Sequence, residues 1–432
     1  MNGSQYHLLK TRRFLPLLVT VLLGAANDNV YKNALLILIL FSVGREAPME
    51  ETVLVTVASA IFILPFFIFS ATAGQLADKY EKSGMIRWIK FAEVLIMGAG
   101  VAALQFGGIY WLLGVLFLMG VQSSFFGPLK YSILPTMLRK NELIGGNAFV
   151  EAGTFLAILV GTIVGGLTAG WEYGVNGVSA IVFSLAVIGW ICSYGIPPAL
   201  APQPSLKVNY NIATQTFRIV DRLRKDRPVF RSILGISWFW FVGIMLLTQF
   251  PNLAKSNFNA DHEVITFLMV VATVGIAIGS MLCNSLLKGE ITAKYVPAAA
   301  FGMTVFLADI WFSSPDGSGS TTVTFGMFLE TSANWRVIAD LLGVSICGGI
   351  FVVPLYAMMQ TLSDEQERSQ VVAGNNILNA VFMVAGSLLA GIILDAGYTV
   401  PDLFLTVAAA NLLVVFYMQR LWRGLGSNPA AD

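Results

Sequence analysis

The sequence predicts an all-α membrane protein that crosses a bilayer twelve times, and composition, the spacing of apolar runs and the placement of basic residues predict it. Of 432 residues, 56% are hydrophobic and 12% charged, against about 25% charged in an ordinary soluble domain. So few charges cannot coat a water-soluble surface of this size. Apolar segments fall near residues 14–41, 52–76, 84–104, 109–127, 145–170, 175–197, 230–250, 264–287, 295–313, 337–359, 371–394 and 401–419. Each is long enough to cross about 30 Å of hydrocarbon as a helix. With the N-terminus inside, all but Arg45, Lys255, Arg336 and Lys32 of the 26 Lys and Arg fall on cytoplasmic segments. The positive-inside rule then puts both termini in the cytoplasm.

Several function classes drop out. A net charge of +1 predicts no nucleic-acid partner. Cys192, Cys283 and Cys347 sit in apolar stretches without paired spacing, so they read as small core residues rather than a disulfide framework or a metal site. His7 and His262 are the only histidines, which argues against zinc chemistry and most histidine-based catalysis. No metal or cofactor is expected. Lys10, Arg12 and Arg13 before an apolar run mimic a secretory signal. The run continues through Leu40, however, and no soluble domain follows; it reads as the first span.

The longest cytoplasmic connection, from about Pro198 to Arg231, divides the spans six and six. This gives an N-terminal six-helix bundle over 1–198, a linker over 199–229 and a C-terminal bundle over 230–432. The linker opens with the proline-rich "PPALAPQP", a stiff spacer. It continues with Ile212, Ile219, Val220 and Leu223 on one helical face and Arg218, Arg222 and Lys225 on another. That pattern predicts an amphipathic helix on the inner leaflet, a solvated linker helix being the alternative.

The two halves echo each other. "GPLKYSIL…ELIGGNAFVEAGTFLAILVGTIVGG" from Gly127 and "VPLYAMMQ…SQVVAGNNILNAVFMVAGSLLAG" from Val353 each place a proline, a polar loop, then Gly-Asn opening a glycine-laced helix. Gly153, Gly161, Gly165, Gly166, Gly386 and Gly391 fit close helix approach. The loop "GQLADKYEK" between spans two and three resembles the conserved loop of the major facilitator superfamily through Gly74, Leu76, Ala77, Asp78, Lys79 and Lys82. Glu81 and Ser83 depart from that pattern. The resemblance implies two pseudo-symmetric six-helix bundles built as parallel repeats. It also implies a conformational role for Gly74, Asp78, Lys79 and Lys82, with Asp78 accepting N–H bonds from a neighbouring helix start.

The first span carries "AANDNVYKNAL", which sets Asn27, Asp28, Asn29, Lys32 and Asn33 halfway through an apolar helix. A charge at bilayer depth costs about 2.5–3.5 kcal/mol on insertion scales, so it needs a watery cavity or a partner. Asp28 and Lys32 are four apart and can pair on one face. Either they form a salt bridge that locks the helix, or they match a zwitterion, Asp28 taking an ammonium and Lys32 a phosphate. Other polar groups at membrane depth are Glu93, Lys130, Asn147, Glu151, Asp309, Asn375, Asn376 and Asn379. Asn375 and Asn379 occupy the helix of the second half that corresponds to the one carrying Glu151. Glu93 and Asp309, in spans three and nine, are the weaker candidates.

"GAANDNVYKNALLIL", "GPLKYSILPTML", "GNAFVEAGT" and "GGIFVVPLYAMMQ" resemble the lysophospholipid transporter branch of that superfamily, called LplT. The resemblance implies movement of lysophospholipids, chiefly lysophosphatidylethanolamine, across the bacterial inner membrane for reacylation. Membrane lipids are then the surroundings, and a cytoplasmic acyltransferase is a candidate partner, because some relatives are fused to one. By motif, Asp28 and Asn29 match the branch's first-span Asp-Asn, Lys130 its Pro-x-Lys-Tyr lysine and Glu151 its span-five acid. Some members carry a headgroup-binding arginine in span seven; "ISWFWFVGIMLLTQFP" has none, and Lys32 is expected to supply that charge. Trp238, Trp240, Phe241 and Met245 in the same span are candidates for an acyl-chain groove. An amphiphile needs both a polar headgroup site and an apolar opening. The competing readings are a proton-coupled exporter of drugs or other small amphiphiles, in which Asp28 or Glu151 titrates, and a membrane acyltransferase. The last requires an acid five residues after a histidine, but Arg12 follows His7 and Phe267 follows His262 at that distance. No enzymatic activity is therefore expected.

Overall fold

The structure, a computed structural model, describes residues 5–41, 51–315, 317 and 322–426. A short 3-10 segment, Gln5–Lys10, leads into α1 (Leu15–Phe41), followed by α2 (Glu51–Lys79), α3 (Lys82–Phe106) and α4 (Ile109–Ser132). A four-residue α5 (Leu134–Met137) precedes α6 (Leu143–Ala169) and α7 (Gly174–Ser193). The linker helix is α8 (Ile212–Lys225), and then come α9 (Arg227–Ser256), α10 (His262–Leu287) and α11 (Val296–Ser313). A short α12 (Phe325–Glu330) precedes α13 (Asn334–Leu362), α14 (Arg368–Asp395) and α15 (Val400–Gly426). Among the described residues the sole β feature is an isolated parallel bridge, Ala260 to Val323.

Eleven of these helices are long and apolar enough to cross a membrane: α2, α3, α4, α6, α7, α9, α10, α11, α13, α14 and α15. The first helix has 27 residues, ample length for a span, but its polar centre separates it from the eleven in hydropathy. With it, the twelve predicted apolar runs each correspond to one helix. Arg45 lies outside the described residues.

The chain divides into two compact units. One comprises the chain through Gly146, Gly153–Lys225 and Gln360–Ala380; the other comprises Asn147–Ala152, Asp226–Met359 and the chain from Val381 onward. In the first unit, α1, α2, α3, α4 and α7 share a core that includes Tyr31, Leu35, Met97, Leu116, Met119 and Val182. From its middle onward the buried side of α1 recurs at Asn27, Val30, Tyr31, Ala34, Leu35 and Ile39, the three-to-four recurrence of a helix with one face inward. Small residues set the closest approaches. A Cβ on Gly161 of α6 would stand 2.4 Å from the Ala26 carbonyl oxygen, and one on Gly165 2.4 Å from that of Val30, so α6 lies against the backbone of α1. In the second unit, Asn411 of α15 donates to the Ala300 carbonyl of α11 at 2.7 Å, satisfying an amide that would be costly alone in an apolar core.

One expectation for the linker is corrected. The apolar face of α8 does not lie on a lipid leaflet: Ile219 and Leu223 are buried and fill the space beside Gly374 of α14, whose Cβ would meet Leu223 Cδ1 at 2.4 Å. Gln215 donates to Gln370 at 3.3 Å, and Arg222 pairs with Glu367 at 2.5 Å. A narrow apolar stripe is satisfied by one helix groove, so burial against protein competes successfully with burial in lipid. The spacer before α8 is also anchored. Glu81 caps α3 through Ser83 N and Gly84 N and accepts from Ala199 N at 2.7 Å, while Gln75 makes two bonds with the Asn209 backbone. Burial opposes the Glu81 charge, but the bonds from Ser83, Ala199 and Gly84 outweigh it and hold the carboxyl below its usual range. With the folded value depressed, this anchoring is present at neutral pH and is lost only as pH falls through that lowered value.

Candidate functional site

The polar centre of α1 divides between two faces. Asn27 is fully buried and donates to Glu93 of α3 at 3.0 Å. Asp28, Asn29, Lys32 and Asn33 are half-buried. Asp28 Oδ2 accepts from Ser123 Oγ of α4 at 2.7 Å, and its other oxygen has no donor among the described residues. Lys32 Nζ lies over the Phe62 ring of α2, 5.9 Å from its centroid, a distance at which a cation is attracted to the π face. Although their spacing allows it, Asp28 and Lys32 form no ion pair among those within 4 Å in the described residues. The salt bridge read as one possibility from the sequence is therefore absent: each charge is turned to a different neighbouring helix. Asn29 and Asn33 donate back to the helix, to Ala25 O at 2.8 Å and Asn29 O at 2.9 Å, and Asn33 also reaches Thr162 of α6 at 3.1 Å.

The remaining predicted residues fall as follows. Lys130 is half-buried near the end of α4, its Nζ 4.7 Å from the Tyr131 ring centroid, and Glu151 of α6 is buried. Asn375 and Asn379, on the first half of α14, are buried. Among the described residues both polar atoms of the Asn375 side chain lack a partner, as does Asn376 Nδ2. Gly127 gives Asn376 room, since a Cβ there would stand 2.5 Å from Nδ2. In the second unit, Trp238 donates to Asn411 at 2.7 Å and Trp240 to the Tyr356 hydroxyl at 3.1 Å. Both indoles are half-buried, whereas Phe241 and Met245 are buried. Trp238 stacks on Phe241 at 4.8 Å.

The α2–α3 motif holds the start of α14. Asp78 accepts from Ser369 N at 3.0 Å, Gln370 N at 3.2 Å and Gln370 Nε2 at 3.2 Å. A carboxylate on free N–H groups at a helix start is the favourable charge–dipole arrangement. Lys82 donates to Ser369 Oγ at 2.6 Å and to Ala77 O at 3.0 Å, and lies 3.8 Å from Asp78. A Cβ on Gly74 would stand 2.7 Å from that of Ala373, which is why α2 and α14 approach so closely there. Lys79 is half-buried at the rim, near the Tyr80 ring.

Sequence reasoning missed three residues. Ser123 and Gln122 carry no signal, being single polar residues in an apolar span. Lys90 was assigned to the cytoplasmic side by the charge pattern, but it is fully buried in α3 and pairs with Glu93. Its signal was available: an acid three residues away in the same span. Glu93 itself is central to the packing around α1, whereas Asp309 pairs with Arg336 at a largely exposed position of the second unit.

Comparison with known proteins accords with this architecture. The Major Facilitator Superfamily profile matches residues 17–342. Among curated relatives, the lysophospholipid transporter LplT of Cronobacter sakazakii is 28% identical over 87% of this chain and 85% of its own. That of Serratia proteamaculans is 29% identical over 85% and 84%. Among solved structures, the human organic anion transporter MFSD10 superposes with a TM-score of 0.72 at 16% identity, covering 94% of this chain and 99% of its own. The Escherichia coli fucose:proton symporter FucP gives 0.67 at 13% identity over 94% and 97%. At these identities the structural matches establish the fold. With a polar first span, a spanning set of apolar helices and a profile match over most of its length, this chain is a multi-pass membrane protein that belongs to the Major Facilitator Superfamily.

Proposed function

We propose that this transporter moves lysophospholipids of the lysophosphatidylethanolamine type across a bacterial inner membrane by alternating access, with both termini cytoplasmic. The observation that carries the reading is the state of the first span: an acid and a base lie on one helix face, half-exposed, and neither neutralises the other. Charges left unpaired at membrane depth are costly, and a zwitterionic headgroup offers each a counter-ion. Asp28, with Asn29 beside it, takes the ammonium, and Lys32 takes the phosphate. The names of the curated relatives support the substrate class.

Lys130, Glu151, Asn375 and Asn379 complete the headgroup set in this reading. Asn375 brings a buried amide with unfilled hydrogen-bonding capacity, which a polar ligand or water would satisfy. Trp238, Trp240, Phe241 and Met245 are the acyl-chain candidates in this reading. The Asp78–Ser369 contact stabilises one state of the cycle. A lipid delivered to the inner leaflet is a substrate for reacylation, so a cytoplasmic acyltransferase is the partner class this function implies.

The test is translocation of labelled lysophosphatidylethanolamine by proteoliposomes. Wild-type protein moves the lipid and Asp28→Ala does not, while remaining folded. Absence of movement by the wild type refutes the reading. Movement that stops when a proton gradient is collapsed supports a proton-coupled exporter instead.

A further inference from the structure

A second charged cluster lies behind Asp28, and the transport step proposed above does not use it. Glu93 and Lys90, three residues apart on α3, form an ion pair and are 3% and 0% exposed. The lysine has a slot of its own between α1 and α7. A Cβ on Gly24 would stand 3.1 Å from Lys90 Nζ, and one on Gly189 3.0 Å from Cε, so a side chain at either glycine meets the ammonium end. The Phe126 ring of α4 lies 5.9 Å from Nζ. Glu93 accepts from three donors on three helices: Lys90 of α3, Asn27 Nδ2 of α1 at 3.0 Å and Gln122 Nε2 of α4 at 2.9 Å.

The cluster reaches Asp28 through one amide. With Gln122 Nε2 bound to Glu93, Gln122 Oε1 turns to Ser123, whose Oγ is 3.2 Å away. The same Oγ lies 2.7 Å from Asp28 Oδ2. A serine hydroxyl carries one hydrogen, so it serves either Asp28 or Gln122. With Asp28 ionised, the shorter charge-assisted bond prevails, occupying Oδ2 and leaving Oδ1 for a ligand. When an ammonium neutralises Asp28, Gln122 Oε1 is the alternative acceptor already in place.

We propose that Lys90 and Glu93 are positioning residues for Asp28: the pair fixes the Gln122 amide, the amide fixes the choice open to the Ser123 hydroxyl, and the hydroxyl orients the Asp28 carboxylate toward the cationic part of the headgroup. The proposal rests on the reading of Asp28 as headgroup anchor. A buried ion pair is suited to this task because it supplies a strong acceptor without adding net charge beside the site.

Two measurements on the full-length protein test it. In proteoliposomes, Lys90→Met/Glu93→Gln, which removes both charges together, raises KM for lysophosphatidylethanolamine about tenfold with kcat little changed, the size expected for one charge-assisted hydrogen bond. The same variant leaves KM for lysophosphatidylglycerol, which has no ammonium, at the wild-type value. Unchanged KM for the ethanolamine lipid, or equal shifts for both lipids, overturns the proposal. The second measurement needs no substrate: infrared spectra of the purified protein, subtracted against Asp28→Asn, isolate the Asp28 carboxyl bands. These bands shift in the double variant, and superimposable bands overturn the positioning role. If the double variant does not fold, Gln122→Leu cuts the link and keeps both charges, with the same outcomes expected. A wild type that moves no lysophospholipid yet shows the band shift would sink the proposed function and leave the positioning role standing.

Discussion

Two helices of the first unit each carry an acid and a base one turn apart, and they treat them in opposite ways. On α3, Lys90 and Glu93 pair and disappear from the surface; on α1, Asp28 and Lys32 stay apart and half-exposed. Spacing does not account for the contrast, because three and four residues both bring side chains onto one face. The neighbours account for it. Gly24 and Gly189 leave room for a lysine beside Glu93, whereas Ser123 draws Asp28 toward α4 and Phe62 receives Lys32 on the α2 side. A closed pair suits structure, and an open one suits a charged ligand.

The largest effect that would break this contrast is on stability. Glu93→Ala leaves a buried ammonium unpaired and costs about 3–5 kcal/mol, seen as a large fall in Tm in detergent. Lys90→Met/Glu93→Met, which leaves no lone charge, recovers most of the loss; a single variant as stable as wild type would show that the α3 pair is not closed. Next comes Asp28→Asn, which leaves Tm within a degree or two and lowers lysophosphatidylethanolamine transport about a hundredfold, the cost of removing one member of a desolvated charge contact. A large Tm drop there would make the α1 pair structural too. Gly161→Ala drives a Cβ into the Ala26 carbonyl of α1 and costs about 1–3 kcal/mol by overpacking, shifting both Tm and transport because α1 must move. Smallest is Arg222→Ala at the exposed pair with Glu367, worth under about 1 kcal/mol. Its near-neutral Tm calibrates the buried pair against a solvated one.

Much of the site was legible as residues and little of it as geometry. Asp28 and Lys32 stood out because ions in an apolar run are costly and need a partner or a watery cavity, and Asp78 stood out through its loop motif. Ser123 and Gln122 did not, since isolated polar residues are ordinary in spans that pack against others. Lys90 was misplaced by a rule that counts bases near span ends without asking where a long side chain points. The apolar stripe of α8 was visible in the sequence, but its partner was not: lipid and a helix groove present the same apolar demand.

By itself the sequence determined that this chain is helical, crosses a membrane and sets charges in the middle of its first span, because hydropathy and helical rise are local properties that need no partner to act. Only the tertiary structure decided which charges close on each other, which face α8 buries and where the Asp78 carboxylate finds its donors. Those outcomes depend on room and on donors supplied by helices distant in the chain, such as a slot between Gly24 and Gly189 or the free N–H groups at Ser369 and Gln370.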